Sequence, residues 1–245
     1  MSENATNRAH WGLGPTIGLS LCVMVVFIAV QTLVAAIAAG IAIANQPQAE
    51  LASVLEQVST SGLVLAAATV VSAPVCVGLI AVFIRLRRGA PPKRYLELKR
   101  PSPLVVGVWL LMTVVFMVGV DALKSLIDRP VAPTFTADIY QTAYFLPLLY
   151  LAIVVAAPVF EEIFFRGFLF QGIRYSRLGA AGAVLFTSLL WAVIHRQYDR
   201  YDMGGIFLFG ILLAIAQLRT RSLYIPIAMH ALNNLIALIQ VAASR

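Results

Sequence analysis

The sequence has few charged residues for its length. Only 12% of its 245 residues are Asp, Glu, Lys or Arg, whereas 60% are hydrophobic and the mean hydropathy is +0.88. Soluble domains are about half apolar and about a quarter charged, so this composition excludes a chain folded around one soluble core. Apolar runs of roughly twenty residues, long enough to cross the hydrocarbon of a bilayer as helices, recur along the chain. The composition therefore predicts an integral membrane protein surrounded by lipids.

Cysteine and several catalytic motifs are also scarce or missing. The two cysteines, Cys22 and Cys76, lie in apolar runs and show neither metal-ligand spacing nor the pattern of a disulfide framework. There is no Gly-x-Ser-Gly and no His-Glu-x-x-His motif, and all five aspartates lie in predicted loops or near the ends of apolar runs. These absences exclude the serine, zinc-helix and aspartyl-dyad types of intramembrane protease. The net charge of +7 does not indicate nucleic-acid binding, because the basic residues lie between apolar runs and form no stripe with aromatic residues.

The apolar runs predict an all-α fold, a polytopic transmembrane helical bundle. We predict about seven spans and leave room for an eighth, with boundaries placed to within two to four residues. The predicted spans cover residues 15–44, 62–84, 103–126, 144–171, 178–195, 204–217 and 222–242.

The basic residues predict how the bundle is oriented. The segment 85–100 contains seven Lys and Arg residues, and the preceding connection, 45–61, contains none. Because short cytoplasmic loops are enriched in Lys and Arg, we expect segment 85–100 and the N-terminus to be cytoplasmic. The Pro91-Pro92 pair prevents one continuous helix here. We therefore predict a polar N-terminal segment (1–14), N-terminal helices with a basic loop (15–100) and a C-terminal core (101–245).

Only two of the eleven acidic residues, Glu161 and Glu162, lie well inside an apolar run, and Arg166 follows them. Each charged side chain costs roughly 2.5–3.5 kcal/mol at the centre of a bilayer helix, so these groups need compensation. Glu162 and Arg166 are four residues apart and share a helix face, so their charges can neutralise each other. Glu161 is rotated by about 100° from Glu162 and has no basic partner at helical spacing, which favours a general base. Alternatively, all three residues form a packing network that fixes helix register.

Two of the three histidines lie in later apolar runs. His195 follows Trp191 by one helical turn, and His230 precedes Asn234 by one turn. A lone histidine on a helix is more often structural than functional. Two intramembrane histidines together with a Glu-Glu pair favour a site, because imidazole and carboxylate groups can jointly activate water or bind a metal.

The order of these residues resembles the signatures of the CPBP family, which comprises type II CAAX prenyl proteases and bacteriocin-processing or Abi proteins. The three patterns lie in this order on three of the hydrophobic segments, and the resemblance covers about residues 145–242. The second signature usually begins with Phe, and this chain has Trp191 instead; we expect the aromatic ring to preserve the packing. The patterns are Glu161-Glu162-x-x-x-Arg166, Trp191-x-x-x-His195 and His230-x-x-x-Asn234.

The resemblance implies an intramembrane endopeptidase that cleaves a membrane-associated peptide or protein. Glu161 with His195 would activate a water molecule, and His230 with Asn234 would stabilise the oxyanion. The supporting residues would be Glu162, Arg166 and Trp191.

The resemblance leaves the cofactor open. Glu161, His195 and His230 could supply three zinc ligands, but a metal-free glutamate mechanism fits equally well. A non-enzymatic membrane protein is the alternative, either a proton-coupled transporter or a scaffold or immunity protein. The compact chain, the short loops and the likeness to Abi proteins favour the inner membrane of a bacterial cell.

Overall fold

The computed structural model describes residues 10–87, 91–131 and 133–244, and no strand occurs in this part of the chain. Most of the predicted segment 1–14 lies outside the described residues, as do Arg88 and Arg245. Ten helices follow one another in the described part. They are α1 (Leu13–Asn45), α2 (Leu51–Ser59), α3 (Gly62–Leu86), α4 (Pro92–Tyr95), α5 (Pro103–Leu126), α6 (Thr134–Gln141), α7 (Leu146–Arg174), α8 (Gly179–Ile194), α9 (Arg200–Thr220) and α10 (Tyr224–Ala243).

Six of these helices, α1, α3, α5, α7, α9 and α10, are long and apolar enough to cross a membrane. Helix α8 is apolar but has only sixteen residues. Together they correspond to the seven predicted spans, most with ends shifted by a few residues. The prediction of a polytopic helical bundle is confirmed. The short helices α2, α4 and α6 lie in connections where the sequence predicted no helix.

Local sequence signals explain where several helices begin. Ser61 precedes α3, and its hydroxyl accepts a hydrogen bond from the Val64 backbone N–H at 3.3 Å. Ser102 caps α5 in the same way, and Pro103 occupies the first helical position, where its missing N–H costs nothing. Asp199 caps α9 by accepting from two backbone N–H groups. These caps fix the start of three of the long helices.

Helix α7 lies at the centre of the bundle. Its residues from Ile163 to Ile173 are all buried, and its phenylalanines pack in an apolar core with side chains of α1, α3, α8 and α9. The approach of α1 requires glycine at position 172, because a Cβ atom there would overlap the side chain of Thr16. The division at residue 100 stays a prediction.

Helix α7 is irregular around the glutamate pair. Residues Leu151–Ala156 and Ile163–Leu169 form π-helical turns, and the α-helical segment Ala157–Glu162 lies between them. Pro158 has no N–H group, so a carbonyl one turn earlier lacks a helical partner. Such π turns inside a helix are frequent at functional sites.

Candidate functional site

A cavity of about 580 Å³ opens inside the bundle next to the irregular part of α7. Its walls are mostly apolar and come from α1, α3, α5, α6, α7, α9 and α10, while α8 contributes its C-terminal end. Five of the seven site residues named from the sequence line it: Glu161, Trp191, His195, His230 and Asn234. The other two, Glu162 and Arg166, are completely buried behind its wall.

Glu162, Arg166 and His230 form one buried cluster. Arg166 Nη1 donates to Glu162 Oε1 at 2.9 Å, as the four-residue spacing predicts. His230 Nδ1 lies 2.9 Å from the same oxygen, and because a carboxylate oxygen accepts, the imidazole donates this bond. Arg166 Nη2 also donates to the Gly210 carbonyl at 3.3 Å. The cluster joins α7, α9 and α10 and fixes the ring of His230 at the cavity wall.

Glu161 points away from this cluster and into the cavity. Its Oε2 atom accepts a hydrogen bond from Trp191 Nε1 at 2.5 Å and lies 3.9 Å from His195 Nε2. His195 Nδ1 lies 2.7 Å from the Trp191 carbonyl oxygen, which can only accept, so Nδ1 carries the proton. The second imidazole nitrogen, Nε2, is therefore the one that faces Glu161. The packing-network alternative fits Glu162 and Arg166, whereas Glu161 makes its contacts in the cavity.

Of the other six site residues, Trp191 contacts all but Asn234 and Glu162. Its indole ring lies 4.5 Å from the Arg166 guanidinium carbon, an arrangement that stabilises a buried cation. The rings of His195 and His230 both meet it edge to face, with centroids 5.2 Å away. The sequence indicated only that an aromatic ring would preserve packing here. The indole N–H adds a hydrogen bond to Glu161 that phenylalanine lacks.

Asn234 lies at the cavity wall and closes the gap that Pro158 leaves in α7. Its Nδ2 atom donates to the Ile153 carbonyl at 2.8 Å, and its Oδ1 atom accepts from Asn233 at 3.2 Å. Ile153 lies five residues before Pro158, where a π-helical hydrogen bond would require the missing N–H. One of the two Nδ2 hydrogens of Asn234 is therefore used in the bond to α7. Only the other hydrogen could donate to an oxyanion.

At the mouth of the cavity, the structure adds residues that the sequence did not indicate. Lys124 of α5 and Asp202 of α9 form an ion pair at 2.6 Å, with each side chain only 12% exposed. Gln240 of α10 donates to Asp121 of α5 at 2.7 Å. These contacts join helices far apart in sequence, so no local spacing could have predicted them. The only sequence feature that pointed to any of these residues was the position of Asp121 near the end of a predicted span.

The arrangement bears on the choice between zinc and metal-free chemistry. Within the described residues, no three His, Cys, Asp or Glu side chains are grouped closely enough to hold a metal ion. Of the three predicted zinc ligands, His230 commits Nδ1 to Glu162. The metal dependence stays a prediction.

Comparisons with known proteins match the same part of the chain. The sequence profile of the type II CAAX prenyl endopeptidase Rce1-like family matches residues 143–236, which contain all seven site residues. An uncharacterized 24.3 kDa protein of Escherichia coli is 34% identical over 161 residues, covering 62% of this chain and 70% of that protein. The membrane-embedded CAAX protease MroQ of Staphylococcus aureus is 26% identical over 163 residues. That match covers 62% of this chain and 65% of MroQ, just under two thirds of its length.

No solved structure shows significant similarity to this chain.

Proposed function

This chain belongs to the CPBP family of intramembrane proteases, and on that premise we propose that it hydrolyses a peptide bond in a membrane-associated peptide or protein. One observation carries the proposal. The Glu161 carboxylate and the His195 imidazole face each other 3.9 Å apart on the wall of a largely apolar cavity. This distance is too long for a direct hydrogen bond and suits one water molecule held between two acceptors.

The first step is activation of that water. Glu161 accepts one of its hydrogens, and His195 Nε2, which carries no proton in the neutral tautomer with Nδ1–H, accepts the other. The water lone pairs then face the cavity and the carbonyl carbon of the substrate. As the oxygen attacks, Glu161 takes the proton, a C–O bond forms and the carbonyl π electrons move to the oxygen.

His230 supplies the positive group for the resulting oxyanion. Its Nδ1 atom is committed to Glu162 at 2.9 Å, so Nε2 is the nitrogen left to face the cavity. In the imidazolium form, Nε2–H donates to the oxyanion, and the negative charge of the oxyanion offsets the charge of the imidazolium. A donor fixed in place before the reaction is most effective in such a water-poor cavity. The second Asn234 N–H is the other candidate donor.

The last step breaks the peptide bond. Glu161 returns the proton it took from water to the leaving nitrogen, the oxyanion electrons re-form the carbonyl and the C–N bond breaks. The products are a carboxylic acid and an amine, and the enzyme regains its starting protonation state. The apolar walls of the cavity exclude bulk water, which strengthens each of these electrostatic contacts.

The proposal predicts new peptide termini in cells. Membrane proteins from cells that express the wild type should contain N-terminal peptides absent from cells that express Glu161→Gln. Glu56→Gln, which changes an exposed glutamate on α2 outside the site, is the matched control and should behave as wild type. If the wild type and Glu161→Gln yield the same termini, the endopeptidase proposal is wrong, and the transporter and scaffold alternatives stand.

The choice of a metal-free mechanism is tested separately. Purified protein in lipid is incubated with a strong zinc chelator, and the chelator is then removed. The protein should keep its proteolytic rate. Loss of activity that returns only when zinc is added would contradict the metal-free mechanism and leave the endopeptidase proposal intact.

The cellular location is part of the same proposal. We place the protein in the inner membrane of a bacterial cell with the N-terminus in the cytoplasm. The distribution of Lys and Arg supports this orientation.

A further inference from the structure

From the position of the cavity in the bundle, we infer that the site is reached from the extracytoplasmic side of the membrane. Its substrate is then a membrane-associated peptide segment whose scissile bond is presented outside the cytoplasm. The inference rests on the proposed function for the identity of the site. Three independent features carry it: the position of the cavity along the helices, the closure of the opposite end and the distribution of charge.

The residues that line the cavity lie between the middle and one end of the helices. Its floor is formed by mid-bundle residues such as Phe27, Glu161 and His230. Its mouth includes Gln197 and Tyr198, which lie in the connection between α8 and α9. No cavity residue comes from segment 91–100 or from the turns at 175–178 and 221–223, all of which the structure describes. The opening therefore lies at the end of the bundle opposite the basic loop.

The end next to the basic loop is closed by that loop itself. Gln217 Nε2 of α9 donates to Glu97 Oε2 at 3.0 Å, and the Leu223 N–H donates to the Glu97 carbonyl at 3.2 Å. The Ser222 hydroxyl donates to the Lys99 carbonyl at 2.5 Å.

The side chains of the loop complete this closure. Tyr95 has no exposed surface, and Leu96 lies so close to α7 that a Cβ atom on Gly167 would come within 2.8 Å of its Cδ2 atom. The loop is thus tied to the turn between α9 and α10 and packed against α7. A substrate approaching from this end would meet packed side chains and backbone hydrogen bonds.

The basic residues identify the closed end as cytoplasmic. Twelve Lys and Arg residues lie in the N-terminal segment, in segment 85–100 and at the turns around 174–177 and 219–221. Lysine and arginine concentrate on the cytoplasmic side of membrane proteins. By the spans predicted from the sequence, the opposite side has five: Lys124, Arg129, Arg196, Arg200 and Arg245.

Two of these five are also neutralised by ion pairs. Lys124 pairs with Asp202, and Arg129 pairs with Asp199, each at 2.6 Å. The side with the cavity mouth therefore offers little free positive charge, as expected of an extracytoplasmic face.

The walls indicate the chemistry of the substrate. Apolar side chains such as Phe116, Met117, Ile153 and Phe209 line the cavity, so an apolar residue next to the scissile bond can be buried there. The ion pair of Lys124 and Asp202 lines the cavity on the side away from the basic loop, so a polar backbone can be accommodated there. The substrate class is an apolar, extended segment at the outer face of the membrane. A lipid-modified cysteine in the cytoplasmic leaflet would meet the closed end.

Cysteine accessibility tests the side of entry without relying on catalysis. In a Cys22→Ala/Cys76→Ala background, Gln197→Cys places one thiol at the mouth and Arg177→Cys places one at the basic end; both positions are exposed. A membrane-impermeant maleimide should label Gln197→Cys in intact cells and Arg177→Cys only after permeabilisation. The reverse pattern, or labelling of both in intact cells, would overturn the inference.

A second readout links access to cleavage. The same reagent should abolish proteolysis by Gln197→Cys in intact cells and leave Arg177→Cys as active as without reagent. Inhibition through Arg177→Cys in intact cells would contradict entry from outside. A third result is that the maleimide labels the two variants as expected while neither the variants nor the wild type cleaves any substrate. That result would refute the proposed function, but the side on which the cavity opens would still be established.

Discussion

The indole N–H of Trp191 donates a hydrogen bond of 2.5 Å to Glu161, the carboxylate that faces the cavity inside the bundle. The two residues lie on different helices, and the same tryptophan holds the His195 ring through its backbone carbonyl. The bond fixes one carboxylate oxygen of Glu161. In the proposed mechanism, Trp191 is a positioning residue that acts through Glu161 and His195.

Trp191→Phe should lower kcat by roughly ten- to a hundredfold, because a hydrogen bond to a charged group contributes about 1.5–3 kcal/mol. KM should change little, since the aromatic ring that packs at the cavity wall is kept. Steady-state kinetics with a cleavable peptide in proteoliposomes gives both constants. Trp109→Phe on α5 is the matched control. A rise in KM with an unchanged kcat would show that Trp191 only shapes the substrate cavity.

Arg166→Met should lower the free energy of unfolding by about 3–5 kcal/mol, because it leaves the buried Glu162 carboxylate without its cationic partner. The double variant Glu162→Leu/Arg166→Met should be less destabilised, since neither charge remains buried. Equilibrium unfolding in mixed micelles measures both. Arg129→Gln removes a partly exposed ion pair and should cost less than about 1 kcal/mol. Equal losses for Arg166→Met and Arg129→Gln would refute the buried-pair interpretation.

Gly62→Ala should destabilise the protein by about 1–3 kcal/mol, because a methyl group there would overlap the backbone carbonyl of Ile139 on α6. Gly78→Ala, in the same helix α3, has open space around it and should be neutral or slightly stabilising. Thermal unfolding of the two variants in the same detergent compares them directly. If both alanines have the same effect, α3 and α6 do not pack as described.

The lowered pKa of the Asp199 carboxyl makes the stability of the protein depend on pH in a specific way. The backbone N–H of Asp202, the Arg129 guanidinium and the N–H of Tyr201 hold the pKa of this exposed carboxyl below its usual value. A group whose pKa is lower in the folded state contributes stability above its unfolded pKa, near 4, and loses it as pH falls through the folded pKa. The difference in Tm between wild type and Asp199→Ala should therefore be constant from pH 6 to 8 and shrink below about pH 4. The exposed Asp138 provides the control variant Asp138→Ala. A Tm difference between wild type and Asp199→Ala that grows on acidification would contradict a lowered pKa of Asp199.

The sequence predicted the features that depend on neighbouring residues. The long apolar runs determine the membrane helices, so the predicted 103–126 span has the same bounds as α5. The Glu162–Arg166 pair followed from helical spacing alone. Both predictions succeed because the physical cause, burial in lipid or a shared helix face, acts within one segment.

The features that the sequence could not predict depend on contacts between segments. The bond from Trp191 to Glu161 joins residues 30 positions apart, and that from His230 to Glu162 joins residues 68 apart. The π turns of α7 leave no pattern in the local sequence, and the hydrogen bond from Asn234 to the Ile153 carbonyl joins two helices. Helix α6 is short and polar, and it forms where it packs against α3 and α10.

The cleavage rate of Glu161→Gln tests most directly whether Glu161 activates the water. Glutamine keeps the size of the side chain and can still accept from Trp191, but it cannot take a proton from water. With purified protein in proteoliposomes and a peptide substrate, the variant should cleave at less than about one hundredth of the wild-type rate, with its folding and membrane insertion intact. Cleavage by Glu161→Gln at a rate close to that of the wild type would contradict the mechanism.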